Sequence, residues 1–356
     1  MLRFWRASSV LCAAAVAFFA WLAVAPAGGD RLVALGQRLF FDTRLSGSGR
    51  TACATCHEPR YGYAQRRRVP ISDNGDIGRR NSPSLLDVGY APWLMWDGRF
   101  PSLEHQIFGP FSSGELGNPI SQAAARISAD PEYRQLFGEA LGQPPTPNGM
   151  ARAIAAFERT IVSRESRVDR YLVYNDTRAL APIERAGYDY FTGKAHCSSC
   201  HHVFPVTPDG RKSNRPLFTD FQFHNTGIGF GPRGFTDRGR HEQTRNPADW
   251  GAFRTPMLRN SALTPPYMHD GSLGTLEEVV EFYNAGGQPN PNQSQAMHPL
   301  HLSDREKAAL VAFLRAMVEE GLWTWAQVAR TVRDQADGEQ GGQSAAARTA
   351  PPAPVR

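Results

Sequence analysis

Two stretches of the chain repeat one hydrophobic pattern. Residues 32–42 and 183–193 both carry apolar side chains at three- and four-residue steps, the spacing of an amphipathic helix. Each stretch is followed, after a short loop, by the sequence Cys-x-x-Cys-His. A unit that occurs twice predicts two similar domains, and two domains are also what a chain of 356 residues favours.

Further periodic stretches at residues 150–161, 275–284 and 303–317 predict helices, and Ser303 and Glu306 have the spacing of a capping box. Strand patterns are few, and glycine (33) and proline (27) are plentiful. We therefore expect a mainly α, loop-rich protein. The polar segment at residues 174–177 places the boundary between a first domain of residues 28–172 and a second of residues 173–332.

Both ends of the chain differ from these domains. Residues 1–27 combine early arginines, an apolar run and Ala25-Pro26-Ala27, the pattern of a cleaved secretory signal, with an uncleaved anchor as the alternative. We expect a periplasmic protein without stable membrane insertion after signal removal. Residues 333–356 contain almost no large apolar side chain, which predicts a disordered tail. A formal charge of +5 is no nucleic-acid signature, so no such partner is expected.

Four cysteines remain after signal removal: Cys53, Cys56, Cys197 and Cys200. Disulfides are the first expectation in an exported protein, but His57 or His201 directly follows each pair, which is the haem c attachment pattern. A zinc site or a redox dithiol are the alternatives, although zinc prefers two pairs that converge on one ion. We predict two covalently bound haem c groups, with His57 and His201 as their iron ligands.

The ligand opposite each histidine separates a haem enzyme from an electron carrier. Residues 58–80 contain neither histidine nor methionine. The first haem therefore has no obvious local second ligand, which predicts an open site that reacts with peroxide.

Longer motifs carry a family resemblance. Residues 80–83, 96–99, 103–106, 109–110 and 115–116, together with the long segment 254–271, resemble the bacterial dihaem cytochrome c peroxidase and MauG family. The resemblance extends over roughly residues 35–317 and implies two cytochrome c-like haem domains packed against each other. The MauG branch, whose members mature methylamine dehydrogenase, is the most similar.

The resemblance implies roles for individual residues. Trp96 is the aromatic bridge between the haems, Gln106 and Glu115 are the catalytic residues beside the first haem, and Pro110 shapes that pocket. The spacing from Pro110 to Glu115 is one residue shorter than the family pattern. A calcium ion between the domains is also implied, bound by Asn81, Thr264 and Pro266, and oxygen ligands of this kind suit a hard cation.

Tyr283 decides between the activities of the family. By resemblance it stands where peroxidases place a methionine ligand to the second haem, and it matches the tyrosine ligand of MauG. A phenolate is hard and anionic and favours oxidised iron, whereas a thioether favours ferrous iron. Met257, Met268 or His269 as the ligand, with Tyr283 in the core, is the alternative. His224 is expected to line the second haem.

The implied function is a MauG-like oxidation of partner tryptophans by peroxide-derived high-valent haem iron. The expected substrate is the methylamine dehydrogenase precursor, which acquires tryptophan tryptophylquinone, or another tryptophan-bearing protein; the oxidant is hydrogen peroxide, or oxygen plus electrons. The alternatives are a cytochrome c peroxidase with a small cytochrome or copper protein as donor, and a non-catalytic dihaem electron carrier. MauG has a tryptophan before its second motif that is absent here, so either Tyr190 or Phe191 is the relay instead or the partner protein differs.

Overall fold

The computed structural model describes residues 28–207, 210 and 212–320, so the expected signal segment and tail lie outside the described residues. The described residues form mainly helices, in agreement with the prediction. The α-helices are α1 Gly28–Phe41, α2 Cys53–Cys56, α3 Leu103–Gln106, α4 Gly109–Ser112, α5 Ile120–Ala129, α6 Pro131–Leu141, α7 Pro147–Glu158, α8 Arg167–Val173, α9 Pro182–Thr192, α10 His241–Thr244, α11 Leu276–Asn284 and α12 Asp304–Ala316.

Four two-residue strands complete the regular structure of the described chain: β1 Phe223–His224, β2 Phe230–Gly231, β3 Gly234–Phe235 and β4 Phe253–Arg254. They form two antiparallel pairs, β1 with β4 and β2 with β3. All five helices expected from periodicity are present as α1, α7, α9, α11 and α12. The capping box of α12 is confirmed, because Ser303 Oγ accepts from the Glu306 amide and Glu306 Oε2 accepts from the Ser303 amide over 2.7 Å.

The side chains pack into two hydrophobic cores. The first extends from Leu35 to Ile161 and the second from Val168 to Met317. Val168 lies on α8, so this helix packs on the second core, although the predicted boundary after residue 172 placed nearly all of it in the first domain. The cause is its apolar face, which contributes Val168, Tyr171 and Leu172 to the second core.

In each of the two domains, the first long helix packs across the last one. A Cβ atom on Gly36 of α1 would lie 1.8 Å from the Ala153 carbonyl oxygen of α7. A Cβ atom on Gly187 of α9 would lie 2.0 Å from the Ala309 carbonyl oxygen of α12. Only glycine permits this backbone contact, so each crossing requires the glycine that the sequence supplies.

A second repeat shows that the two domains share more than their helices. Residues 81–106 align with residues 254–279 without a gap, and both segments contain one short antiparallel bridge, Leu94–Phe100 and Tyr267–Leu273. Left-handed backbone occurs at the same aligned positions in both: Asp87 and Asn260, Met95 and Met268, Gly98 and Gly271. Such strained positions seldom coincide by chance, so the two segments have one conformation.

Buried polar contacts hold the two domains together. Arg80 of the first domain donates to Asp237 of the second over 2.6 Å and to Asp97 over 2.7 Å. The Asn81 amide donates to the His269 carbonyl oxygen over 2.7 Å. These bonds fix the first domain on the second along the repeated segments. None of the described helices is both long and apolar enough to cross a membrane.

Candidate active site

The histidine of the second Cys-x-x-Cys-His motif is prepared to bind a metal. His201 Nδ1 lies 2.9 Å from the Phe218 carbonyl oxygen and donates to it. Burial lowers the pKa of His201, so the ring is neutral. A neutral imidazole whose Nδ1 is engaged presents its free Nε2, which is the usual form of a histidine iron ligand.

The first motif has the same arrangement. His57 Nδ1 lies 3.1 Å from the Tyr63 carbonyl oxygen, and burial lowers the pKa of His57. The thiols are buried as well: burial raises the pKa of Cys53 to about 12 and that of Cys197 to about 12. Neither pair forms a disulfide. Neutral histidines beside unpaired, apolar-walled thiols fit covalently attached haem at both motifs.

A cavity of about 280 Å³ opens beside the second motif. Cys197, Cys200 and His201 line it, and so does Tyr283 from α11. Burial raises the pKa of Tyr283, and the nearby thiols of Cys200 and Cys197 raise it further, which places the phenol close to the motif. His224 lines the cavity as expected.

The alternative ligands Met257, Met268 and His269 line the same cavity. The His269 ring packs face to face on Phe253, with ring centroids 3.6 Å apart. In the repeat, His269 aligns with Trp96, so the first domain has an aromatic side chain and no metal ligand at this position. In the described part of the chain, the phenol of Tyr283, in contrast, makes no hydrogen bond and lies next to both thiols.

Pro110 occupies the place of Tyr283 in the first domain. The repeat continues from Leu103 to Pro110 and from Leu276 to Tyr283, and the aligned Ile107 and Val280 are both buried. A proline side chain has no donor atom for a metal. The helix that brings Tyr283 to the second motif therefore brings no ligand to the first, in agreement with an open first haem.

The catalytic candidates lie around the first motif. Burial raises the pKa of the Glu115 carboxyl, with Arg99 opposing, and Glu115 in turn raises the pKa of Cys56, so the carboxyl faces the motif. Gln106 Nε2 lies 3.7 Å from Met95 Sδ and donates to it. The structure thus adds Met95 to this group. Sequence reasoning missed it, although the repetition of Leu94-Met95-Trp96 as Tyr267-Met268-His269 was a signal.

Trp96 belongs to the first domain and lines the cavity of the second. Its Nε1 donates to the Asn81 carbonyl oxygen over 2.8 Å, and its own carbonyl oxygen accepts from the Arg254 amide over 2.8 Å. Bonds from both domains hold the residue in place. Trp96 therefore lies at the contact between the two domains.

The three residues expected to bind calcium belong to the wall of this cavity. Asn81, Thr264 and Pro266 all line it. Asn81 Nδ2 donates to the carbonyl oxygens of Arg67 and Arg68 over 3.3 and 3.1 Å, so Oδ1 points away from these two carbonyl groups. An amide oxygen beside backbone carbonyls is a ligand set that a hard cation accepts.

One further cluster has metal-ligand geometry. Ligand atoms of Cys200, Asp220 and His224 lie within 4.8 Å of one another. His224 Nε2 donates to Asp220 Oδ2 over 2.7 Å, and this bond raises the pKa of His224 to about 10, so the imidazole carries a proton at neutral pH. A protonated ring and a thiol committed to haem attachment do not make an independent metal site.

Comparison with known proteins agrees with this geometry. The family model for di-haem cytochrome c peroxidase matches residues 30–177. The chain is 37% identical over 316 residues to the cytochrome-c peroxidase IdrP1 of Denitromonas iodatirespirans, covering 80% of this chain and 81% of that protein. It is 36% identical over 291 residues to the methylamine utilization protein MauG of Methylorubrum extorquens, covering 81% and 78%.

The chain belongs to the di-haem cytochrome c peroxidase family. A solved structure of a MauG-like protein associated with microbial copper homeostasis superposes with a TM-score of 0.72 at 32% identity, covering 82% of this chain and 91% of that one. As a family member, the protein is a haem-dependent oxidoreductase with two haem c cofactors. Its two Cys-x-x-Cys-His motifs have the attachment pattern that haem c requires.

Proposed function

We propose that this family member uses peroxide to oxidise tryptophan side chains of a partner protein, in the manner of MauG. The observation that supports this proposal is Tyr283, which lies beside Cys197 and Cys200 where a methionine would make the second haem an electron-accepting port. The haems, when bound, supply the redox chemistry. An anionic phenolate ligand stabilises oxidised iron and suits a protein that retains oxidising equivalents for a slow substrate.

The residues of the first domain handle protons. Cleavage of peroxide needs a group that takes a proton from one oxygen and returns it to the other. Glu115 suits this role because burial raises its pKa, and Gln106 is the second residue that we assign to orienting the peroxide. Reduction of one peroxide to two waters consumes two protons and two electrons, and the electrons come from the partner's tryptophans through Trp96.

The substrate to test first is the precursor of methylamine dehydrogenase, in which paired tryptophans become tryptophan tryptophylquinone. Peroxide serves as the oxidant, and oxygen plus two electrons is its equivalent. We place the activity in the periplasm, as residues 1–27 suggest, and a calcium ion at Asn81, Thr264 and Pro266. Any other exported protein with neighbouring tryptophans is an alternative substrate.

A second candidate is a cytochrome c peroxidase that receives electrons from a small cytochrome or copper protein. It is favoured by the residues before the second motif, Lys194, Ala195 and His196, which lack the tryptophan relay of MauG. The MauG-like function would need another relay, and Phe191 is the residue available for it because it is buried and lines the cavity.

The two functions separate in one experiment. The purified dihaem protein is mixed with peroxide and either the precursor protein or a reduced small cytochrome, and the products are followed by mass spectrometry and by cytochrome absorbance. We expect new cross-links and added oxygen in the precursor, and slow oxidation of the cytochrome. Rapid turnover of the cytochrome with an unmodified precursor would establish the peroxidase instead.

A further inference from the structure

Arg254 is a buried cation without a counter-charge. Its side chain is 8% exposed, and burial lowers its pKa to about 10 with no carboxylate contributing to the shift. The guanidinium donates only to backbone: Nη1 to the Thr255 carbonyl oxygen over 3.2 Å and Nε to the Met95 carbonyl oxygen over 3.5 Å. In the described part of the chain, no carboxylate forms an ion pair with it.

Other arginines inside the protein are paired. Arg259, 6% exposed, lies 2.6 Å from an Asp169 oxygen and 3.5 Å from an Asp87 oxygen. Arg80 pairs with Asp97 and Asp237. An isolated buried charge costs several kcal/mol, so it is retained only where a partner compensates for the loss of water. Arg254 requires an anion that the described side chains do not provide.

The position of Arg254 indicates where that anion lies. Its side chain lines the cavity of the second motif together with Trp96, His201 and Tyr283. Strand pairing of β4 with β1 and the bond from its amide to Trp96 hold its backbone rigidly. The planar fork of a guanidinium matches a carboxylate, and a haem carries two carboxylates at its polar edge.

We propose that Arg254 binds a propionate carboxylate of the second haem and fixes the orientation of that haem next to Trp96. The guanidinium pairs with the carboxylate inside the cavity, and the rigid β1–β4 pair sets the position of both. This inference rests on haem occupancy of the second domain and not on oxidation of a partner protein, so either can fail without the other.

The test compares Arg254→Gln with wild type in the dihaem protein, with Arg245→Gln as the control. Arg245 is an exposed residue of the same domain, and its substitution removes the same formal charge away from the cavity. The midpoint potential of each haem is measured by spectroelectrochemistry between pH 6 and 9. Resonance Raman spectra are recorded as well, because propionate bending modes respond directly to hydrogen bonds on the carboxylate.

Without the guanidinium, we expect a lower potential for the second haem, with a difference from wild type that grows as pH rises and the carboxylate ionises. Neighbouring hydrogen-bond partners raise the pKa of His224 to about 10 and burial lowers that of His269 to about 4, so neither titrates between pH 6 and 9 and the difference isolates the carboxylate. The propionate modes of the second haem should shift, and Arg245→Gln should change neither quantity. Unchanged potentials and unchanged modes in Arg254→Gln would overturn the proposal.

If Arg254→Gln does not mature, Arg254→Lys answers the same question. Lysine keeps the charge but replaces a two-point contact by a single donor, so the propionate modes should still shift while the potential stays close to wild type. Modes identical to wild type in Arg254→Lys would likewise refute the pairing.

Discussion

The indole Nε1 of Trp96 donates a hydrogen bond to the Asn81 carbonyl oxygen over 2.8 Å. The Asn81 amide in turn donates to the His269 carbonyl oxygen in the second domain over 2.7 Å. A continuous chain of two hydrogen bonds thus runs from Trp96 across the domain boundary. The orientation of the indole and the packing of the domains depend on the same contacts.

We expect Trp96→Phe to separate peroxide consumption from partner oxidation. Phenylalanine retains an aromatic ring but is harder to oxidise and leaves the Asn81 carbonyl oxygen without its donor, which costs about 1 kcal/mol of stability. Peroxide should still react with the first haem, while oxidation of a partner protein slows markedly. Stopped-flow absorbance and product mass spectrometry measure the two steps. Trp250→Phe, at an exposed tryptophan, serves as the control, and equal slowing in both variants would argue against a bridge.

Tyr283→Met should raise the midpoint potential of the second haem. A neutral thioether no longer stabilises oxidised iron as the phenolate does, so the variant resembles an electron-accepting peroxidase. Spectroelectrochemistry measures the potential, and electron paramagnetic resonance reports the ligand change. Tyr267→Phe alters another tyrosine of the same cavity wall and should leave both signals unchanged. A Tyr283→Met spectrum identical to wild type would assign the ligand to Met257, Met268 or His269.

Glu115→Gln should lower the rate of peroxide reaction by roughly 10²–10⁴-fold, the usual contribution of a general acid–base group. Burial raises the pKa of Glu115, so the ionised form that accepts the peroxide proton is lost at a higher pH than for an exposed carboxyl. The wild-type rate should therefore decline as pH falls through the raised pKa of Glu115, and the rate of the variant should not show this decline. Glu139→Gln, at an exposed glutamate, should reproduce the wild-type profile.

Because of Glu158, the free energy of unfolding should fall as pH rises from about 4.5 to about 8. This carboxyl is buried, its Oε2 has no hydrogen-bond partner, and burial raises its pKa from 4.5 to about 8. The native state keeps the proton up to about pH 8, whereas the unfolded chain releases it near pH 4.5. Stability therefore falls as pH rises through this window, by up to about 1.4 kcal/mol for each pH unit.

Leucine is the natural replacement for Glu158, because Leu314 has the corresponding position on α12. We expect Glu158→Leu to raise the free energy of unfolding by roughly 2–4 kcal/mol at pH 8 and by far less at pH 5. Urea unfolding of the dihaem protein at both values measures the difference. An equal gain at the two pH values would mean that the carboxyl is not protonated in the native state.

The sequence predicted local features well and distant ones poorly. The helices α1 and α12 follow from apolar periodicity, and the motifs around His57 and His201 define their own chemistry. Glu158 and Arg254 gave no signal of their burial, since an isolated glutamate or arginine is ordinarily exposed or structural. Their surroundings come from segments far apart in the chain, and only packing brings these together. The predicted boundary after residue 172 likewise did not anticipate that α8 packs on the second core.

The glycine crossings that close the two domains also constrain the order of assembly. In each domain the cysteines follow the first helix, and the helix that crosses it, α7 or α12, comes last. Once that helix has docked, burial raises the pKa of the Cys53 and Cys197 thiols to about 12, although both residues keep part of their surface exposed. Thiols with a raised pKa are poorer nucleophiles, so a chain that closes before it receives haem is less ready to form the thioether bonds.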